Sequence, residues 1–277
     1  MPTSEQPAPT LLDLFRKQLR DLPYFRALIR AAESSFYQEL EMPRPVLDIG
    51  CGDGHFAATT FSSPLDVGID PWGKAIKEAA RRNGYYWVVQ SDGQRLPFAD
   101  GSFASAVSNS VLEHIRPVDL VLSEIHRVLK PGSPFFMCVP NPAYLEQLSI
   151  AGFLNKIGLN QASRFYTEWF RKMSRVEHAD PPTAWKERLQ AAGFRLERWW
   201  HYLPPPAWHA AEWGHYFGAP TLLPHALFGR WILAPANWNL ALTERFLQPY
   251  LQQVIDPEGV FTFYVARKPD FSHSSSI

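Results

Sequence analysis

Three glycines at alternate positions, Gly50, Gly52 and Gly54, follow the short apolar run Pro45–Ile49 and precede a helical segment over 56–61. Glycine permits positive φ and lets a ligand approach the backbone closely. A helix starting behind such a loop offers unpaired N–H groups. Asp70 ends the next run, Leu65–Asp70, twenty residues after Gly50. A carboxylate at that spacing can accept hydrogen bonds from both hydroxyls of a ribose. Asp92 follows a third run, Tyr85–Gln90, where a side chain can reach an adenine amino group. Alone, the loop is compatible with a tight strand-to-helix turn, and each acid with a turn or a helix cap. In this order, at the ends of successive strands, they outline an adenosine site on the carboxyl edge of a sheet. The spacing GxGxG also departs from the GxGxxG/A loop that cradles a dinucleotide pyrophosphate, which disfavours a nicotinamide-dependent enzyme.

The elements that must position these residues follow from the apolar periodicity. Further strands are expected at 103–109, Pro134–Val139, 194–202 and 260–267, and helices at 74–83, 118–129 and 183–192. Lys130, Pro131 and Gly132 stop the second of these helices. Strands alternating with helices mean βαβ units and a parallel sheet. The fold class is therefore α/β: a Rossmann-like, mostly parallel, seven-stranded sheet with helices on both faces. Residues 1–40 read as a disordered start and a cover of two helices divided by Pro23. Residues 41–270 form the domain, with 141–182 helical and 203–258 inserted between the last two strands. Residues 271–277 read as a disordered tail.

The chain has 277 residues with 27 Lys+Arg against 27 Asp+Glu. A balanced charge argues against nucleic-acid binding, which needs a basic field. Cys51 and Cys138 lie far apart and outside any CxxC, so neither a disulfide scaffold nor a zinc site is expected. The start, MPTSEQPAPT, has no signal-peptide pattern, which points to a cytoplasmic protein.

The motifs VLDIGCGDG (46–54), VGID ending at Asp70, SDGQRLPFADGSF (91–103), SNSVLEHI (108–115) and EIHRVLKPG (124–132) together resemble the class I S-adenosylmethionine-dependent methyltransferases. The resemblance is to the methyltransferase type 11 group and covers about residues 44–140. It implies S-adenosyl-L-methionine as cofactor. Asp48, Gly50, Gly52 and Gly54 would surround its methionine part, and Asp70 would hold the ribose. Pro71 and Trp72 would lie beside the adenine, Asp92 and Gly93 at its edge, and Ser108 and Asn109 near the sulfonium. His114, after the fourth strand, is a candidate base or a structural residue of its segment. His178, before the helix at 183, falls in a region that borders the acceptor in relatives. His55 and His126 read as helix-surface residues. The N-terminal helices, with Phe36 and Tyr37, would act as a lid over the cofactor.

The composition of 25 prolines, 10 tryptophans and 14% aromatics concentrates in one place. Residues 199–238 hold six of the tryptophans and six prolines, with only Glu212 and Arg230 charged. Histidines at 201, 209, 215 and 225 match no common metal spacing, so no metal is expected. Many relatives join the last two strands by a short hairpin, so 203–258 and 141–182 are the segments that would choose the acceptor, a small molecule or a lipid-like compound. Two rival readings remain open: a lipid methyltransferase at a membrane face, peripheral through 203–240, and a non-catalytic cofactor-binding module. Asp70 and Asp92 disfavour the second. The oligomeric state and the atom methylated are not legible.

Overall fold

A computed structural model describes residues 9–252 and 254–270. The expectations for residues 1–8 and 271–277 fall outside them. The element order is α1 (Leu11–Leu19), α2 (Tyr24–Tyr37), β1 (Val46–Ile49), α3 (His55–Thr60), β2 (Leu65–Asp70), α4 (Gly73–Ala79), β3 (Tyr85–Gln90), β4 (Ser105–Asn109), α5 (Val118–Val128) and β5 (Pro134–Pro140). It continues with α6 (Ala143–Glu146), α7 (Ser149–Lys156), α8 (Asn160–Ser174), α9 (Pro182–Ala191), β6 (Arg195–Tyr202), α10 (Pro205–Phe217), α11 (Leu222–Phe228), α12 (Asn237–Leu247) and β7 (Phe261–Arg267).

The seven strands form one sheet in the order β3-β2-β1-β4-β5-β7-β6. Strands β1 to β5 pair in parallel, and β7 runs antiparallel to both β5 and β6. The central strands β1, β4 and β5 are buried at every residue, as unbroken apolar runs require when helices cover both faces. The edge strand β3 instead exposes Tyr86 and Trp87. Two apolar cores result. One holds α5 and α9 against the sheet, with Val121, Leu122, Ile125 and Trp185 buried. The other holds α1, α2 and α10, with Leu14, Leu28, Phe36 and Trp208 buried.

The Pro-rich segment after β6 does not break a helix but begins one. Pro204 is the N-cap of α10, and Pro205 and Pro206 occupy its first turn, where a missing N–H costs nothing. Close approach to α2 is built into the sequence. A Cβ on Gly214 would sit 2.4 Å from Phe25 Cβ, and the Tyr24 hydroxyl donates to Ala210 O at 3.2 Å. Glu212, fully buried, accepts from the Ser149 N–H and hydroxyl, both at 2.6 Å, and from Tyr166 OH at 2.7 Å. One of the two charged residues of the aromatic segment thus caps α7. Trp208 packs on Tyr144, Phe170 and Phe261, with ring centroids at 4.4, 5.9 and 6.0 Å.

The start of the insertion is therefore core. Trp208→Ala is expected to cost about 3–5 kcal/mol of stability in urea unfolding. A loss below about 1 kcal/mol would mean that α10 packs independently of the sheet.

Candidate functional site

The glycine loop leaves β1 at the middle of the sheet, where strand order reverses and the carboxyl ends of β1 and β4 diverge. Gly50 and Gly52 both have positive φ, +77° and +55°. A Cβ on Gly50 would meet Val111 Cγ1 at 2.4 Å, so the backbone must pass bare at that point. A Cβ on Gly52 would meet nothing within 4 Å and would project into open space. The loop is tied down by Asp70, whose Oδ2 accepts the Gly52 N–H at 3.1 Å and whose Oδ1 accepts the Trp72 N–H at 2.9 Å. Helix α3 is only six residues long, and the Asp53 carboxylate already takes its first N–H, that of His55, at 3.2 Å. One of the N–H groups that the sequence left open at that helix end is thereby taken.

Above the loop lies a cavity of about 440 Å³. The sheet side contributes Asp48, Gly50, Gly52, Asn109 and His114; α2 and the turn before it contribute Leu22, Arg26 and Arg30; the insertion contributes His225 and Trp231. These last two rings stack at 3.9 Å, and the Arg26 guanidinium lies 5.8 Å from the Trp231 centroid. Among the described residues Arg26 has no carboxylate within ion-pair distance. Asp48 accepts from Tyr85 OH at 2.5 Å, and burial pushes its carboxyl up to about 7 despite that bond. His114 Nδ1 lies 2.8 Å from Arg175 O, and burial lowers its pKa. Donation from Nδ1 to that carbonyl leaves Nε2 as the basic nitrogen of a neutral ring. Glu113 beside it is buried, its carboxyl pushed up to about 8 by burial, and its Oε2 has no hydrogen-bond partner among the described residues.

Arg30 enters through a cluster that sequence reasoning missed. Its guanidinium pairs at 2.6 Å with Glu33, which has no solvent exposure. Glu33 also accepts from Asn109 Nδ2 at 2.6 Å, Ser110 Oγ at 2.7 Å and Tyr202 OH at 3.0 Å. The visible signal was a charged pair three residues apart within the apolar run Ala27–Ala32 and its continuation.

The other expected site residues divide. Asp70 lies at the end of β2 beside Gln90 of β3, and Gly54 ends the loop. Pro71 and Trp72 are exposed beyond it, as is Asp92, whose carboxylate caps the Gln94 N–H at 2.7 Å, while Gly93 faces Val121. These four lie along the same carboxyl edge and, like Asp70 and Gly54, do not line the cavity. Ser108 is fully buried and donates to Ile49 O at 3.2 Å, so it braces β4 against β1 and presents no group to the cavity. His178 is elsewhere. Arg188 donates to its Nδ1 at 3.2 Å and its Nε2 lies 3.0 Å from Ile115 O, so both nitrogens join α9 to the segment after β4. His55 is buried, not on a helix surface, and lies 3.2 Å from the Asp21 carboxylate. Phe36 and Tyr37 pack on Phe263 in the core; from the N-terminal helices it is Leu22, Arg26 and Arg30 that line the cavity.

Residues 47–137 match the family described as "Methyltransferase domain". Over these residues, with the sheet order and the loop, the chain resembles a class I S-adenosylmethionine-dependent methyltransferase domain. A Mycolicibacterium smegmatis fatty-acid O-methyltransferase is 37% identical over 105 residues, 36% of this chain and 38% of that protein. A Legionella pneumophila malonyl-[acyl-carrier protein] O-methyltransferase is 29% identical over 115 residues, 39% of this chain and 40% of that one. The chain thus matches less than half the length of these relatives. A methyltransferase structure from Thermotoga maritima superposes with a TM-score of 0.55 at 15% identity, covering 92% of this chain and 98% of that one.

The buried Glu113 carboxyl predicts a pH signature. From about pH 4.5, the ordinary value, to about 8, the unfolded chain has lost this proton while the folded protein keeps it. Folding is therefore destabilised progressively as pH rises through that window. Glu113→Gln should remove this contribution, so the variant gains on the wild type from pH 4.5 to 8 in parallel urea titrations. A constant difference would contradict the assignment.

Proposed function

We propose that the protein is an S-adenosylmethionine-dependent methyltransferase that transfers a methyl group to an oxygen of a small, lipid-like acceptor. The observation that carries this reading is the cavity over the glycine loop. Its bare backbone at Gly52, the Asp48 carboxyl and the Arg26 guanidinium, with Asp70 bonded to the loop beside it, fit the cofactor's methionine and ribose ends. When bound, the cofactor supplies a methyl group already activated on a sulfonium.

The chain's own residues then have mainly to bind, orient and exclude water. Asp70 keeps lone pairs beyond its two backbone bonds for the ribose hydroxyls. Arg26 suits a carboxylate at the methionine end, with Asp48 and the loop Gly50, Gly52 and Gly54 around the rest. Pro71 and Trp72 would flank the adenine, with Asp92 and Gly93 at its edge. Asn109, fixed by Glu33, faces the reacting end. Arg30 and Trp231 close the cavity from α2 and the insertion. Holding acceptor and donor in line can supply about 7–11 kcal/mol of barrier reduction in favourable cases. An acceptor already anionic at neutral pH needs no base, whereas a hydroxyl would need one, and His114 Nε2 stands in the cavity to take that proton. Oxygen and a lipid-like body are supported by the names of the two curated relatives, a fatty-acid and a malonyl-[acyl-carrier protein] O-methyltransferase.

Calorimetry with S-adenosylmethionine tests the reading. Binding should occur with the wild type and weaken at least tenfold, about 1.4 kcal/mol, in Asp70→Ala. Incubation with fatty acids should yield methyl esters by mass spectrometry. No cofactor binding by the folded wild type would overturn the reading; binding without transfer to any oxygen acceptor would overturn the reaction but leave the cofactor.

A further inference from the structure

The α7–α8 hairpin carries more apolar surface than the fold uses. Helix α8 turns Phe170 and Ser163 to the core. On another side it presents Phe165, Trp169 and Met173, four residues apart and hence one stripe, with 75%, 41% and 38% of their surface exposed. The stripe continues onto α10 through a series of ring contacts. Trp169 lies 6.2 Å from Tyr216, which lies 6.0 Å from Trp213, itself stacked on Phe217 at 6.0 Å. Trp213 and Phe217 then form one wall of an apolar groove of about 690 Å³, whose other wall is Leu242 and Phe246 of α12. Phe217, Leu242 and Phe246 are each more than 60% exposed.

Charge distinguishes among occupants of this face. From Ser149 to Arg175 the chain has five cations, Lys156, Arg164, Arg171, Lys172 and Arg175, against one carboxylate, Glu168. Glu168 is bridged by Arg171 and Lys172. Lys156, Arg164 and Arg175 are exposed and, among the described residues, have no carboxylate within 4 Å. Aromatic and aliphatic side chains beside unpaired cations on one helical hairpin suit an anionic lipid interface, where the rings enter the acyl boundary and the long basic side chains reach the head groups. Against a second copy of the chain, the same cations would face one another across a two-fold axis and repel. No helix among the described residues is long and apolar enough to cross a membrane, so the contact would be peripheral.

We propose that the α8 stripe and the outer face of α10 dock on the surface of an anionic lipid bilayer, with the α10–α12 groove opening toward it to receive an acyl chain. The docking does not depend on the methyl-transfer reading, because neither α8 nor the groove contributes to the loop cavity.

Flotation of the full chain with phosphatidylcholine vesicles, with and without 30% phosphatidylglycerol, tests it. The wild type should float with the anionic vesicles and at least tenfold less with the neutral ones. Phe165→Ser/Trp169→Ser should lose flotation at least tenfold, and so should Lys156→Glu/Arg164→Glu, which keeps every apolar contact. Both variants should bind S-adenosylmethionine with wild-type affinity, which shows that they fold and separates this test from that of the reaction. Failure of the wild type to float would overturn the proposal, as would unchanged flotation of both variants. A concentration-dependent dimer in light scattering that the Phe165→Ser/Trp169→Ser variant abolishes would instead make this face a contact between copies.

Discussion

Where α2 crosses the carboxyl end of β4, a carboxylate with no access to solvent is held by one guanidinium, one amide and two hydroxyls. Burying a charge costs several kcal/mol unless it is both paired and hydrogen-bonded, and Glu33 meets that condition only while three elements stay together. Arg30 comes from its own helix, Asn109 and Ser110 from the end of β4, and Tyr202 from the last residue of β6. Moving α2 would strip Glu33 of Asn109, Ser110 and Tyr202 and leave it only Arg30 of its own helix. The N-terminal cover is thus fixed to the sheet at the point where the cavity opens.

The rest of the site inherits this constraint. With α2 fixed, Leu22, Arg26 and Arg30 form the wall opposite the glycine loop. The bare face of α10 at Gly214 docks on the same helix, next to Phe25, and brings the insertion along. Trp231 and His225 then reach the cavity mouth from about two hundred residues beyond Arg26 in sequence. The glycine loop and Asp70 form a ledge common to the fold. The opposite wall comes from segments outside the 47–137 match, so the shape of the cavity depends on parts of the chain that the family match does not cover.

Strand positions were legible because periodicity and punctuation are local. Leu65–Asp70 and Tyr85–Gln90 are the strands seen, and Gly132 marks a turn after α5 as expected. The helix expected over 74–83 ends at Ala79, because Arg81, Arg82 and Asn83 form turns, Asn83 at positive φ. The cluster around Glu33 was not legible. Its partners lie 76 to 169 residues away, and sequence spacing carries no record of contacts at that distance. His178 and Ser108 illustrate the converse. Their types and places suit chemistry, but neighbours that only the fold supplies, Arg188 and Ile115 for one and Ile49 for the other, commit their polar atoms. The aromatic insertion was visible as composition, yet whether it was core or surface depended on its partners. Trp208 became core on Tyr144 and Phe261, while Trp238 remained exposed.

A crystal structure with S-adenosylhomocysteine would test the central claim, that the glycine loop, α2 and the insertion together enclose a cofactor cavity. The account predicts ligand density between Asp48, Gly52 and Asp70, with Arg26 and Trp231 against it and the Glu33 cluster intact. Density at another site, or a bound ligand from which α2 and residues 225–231 have moved away, would contradict it.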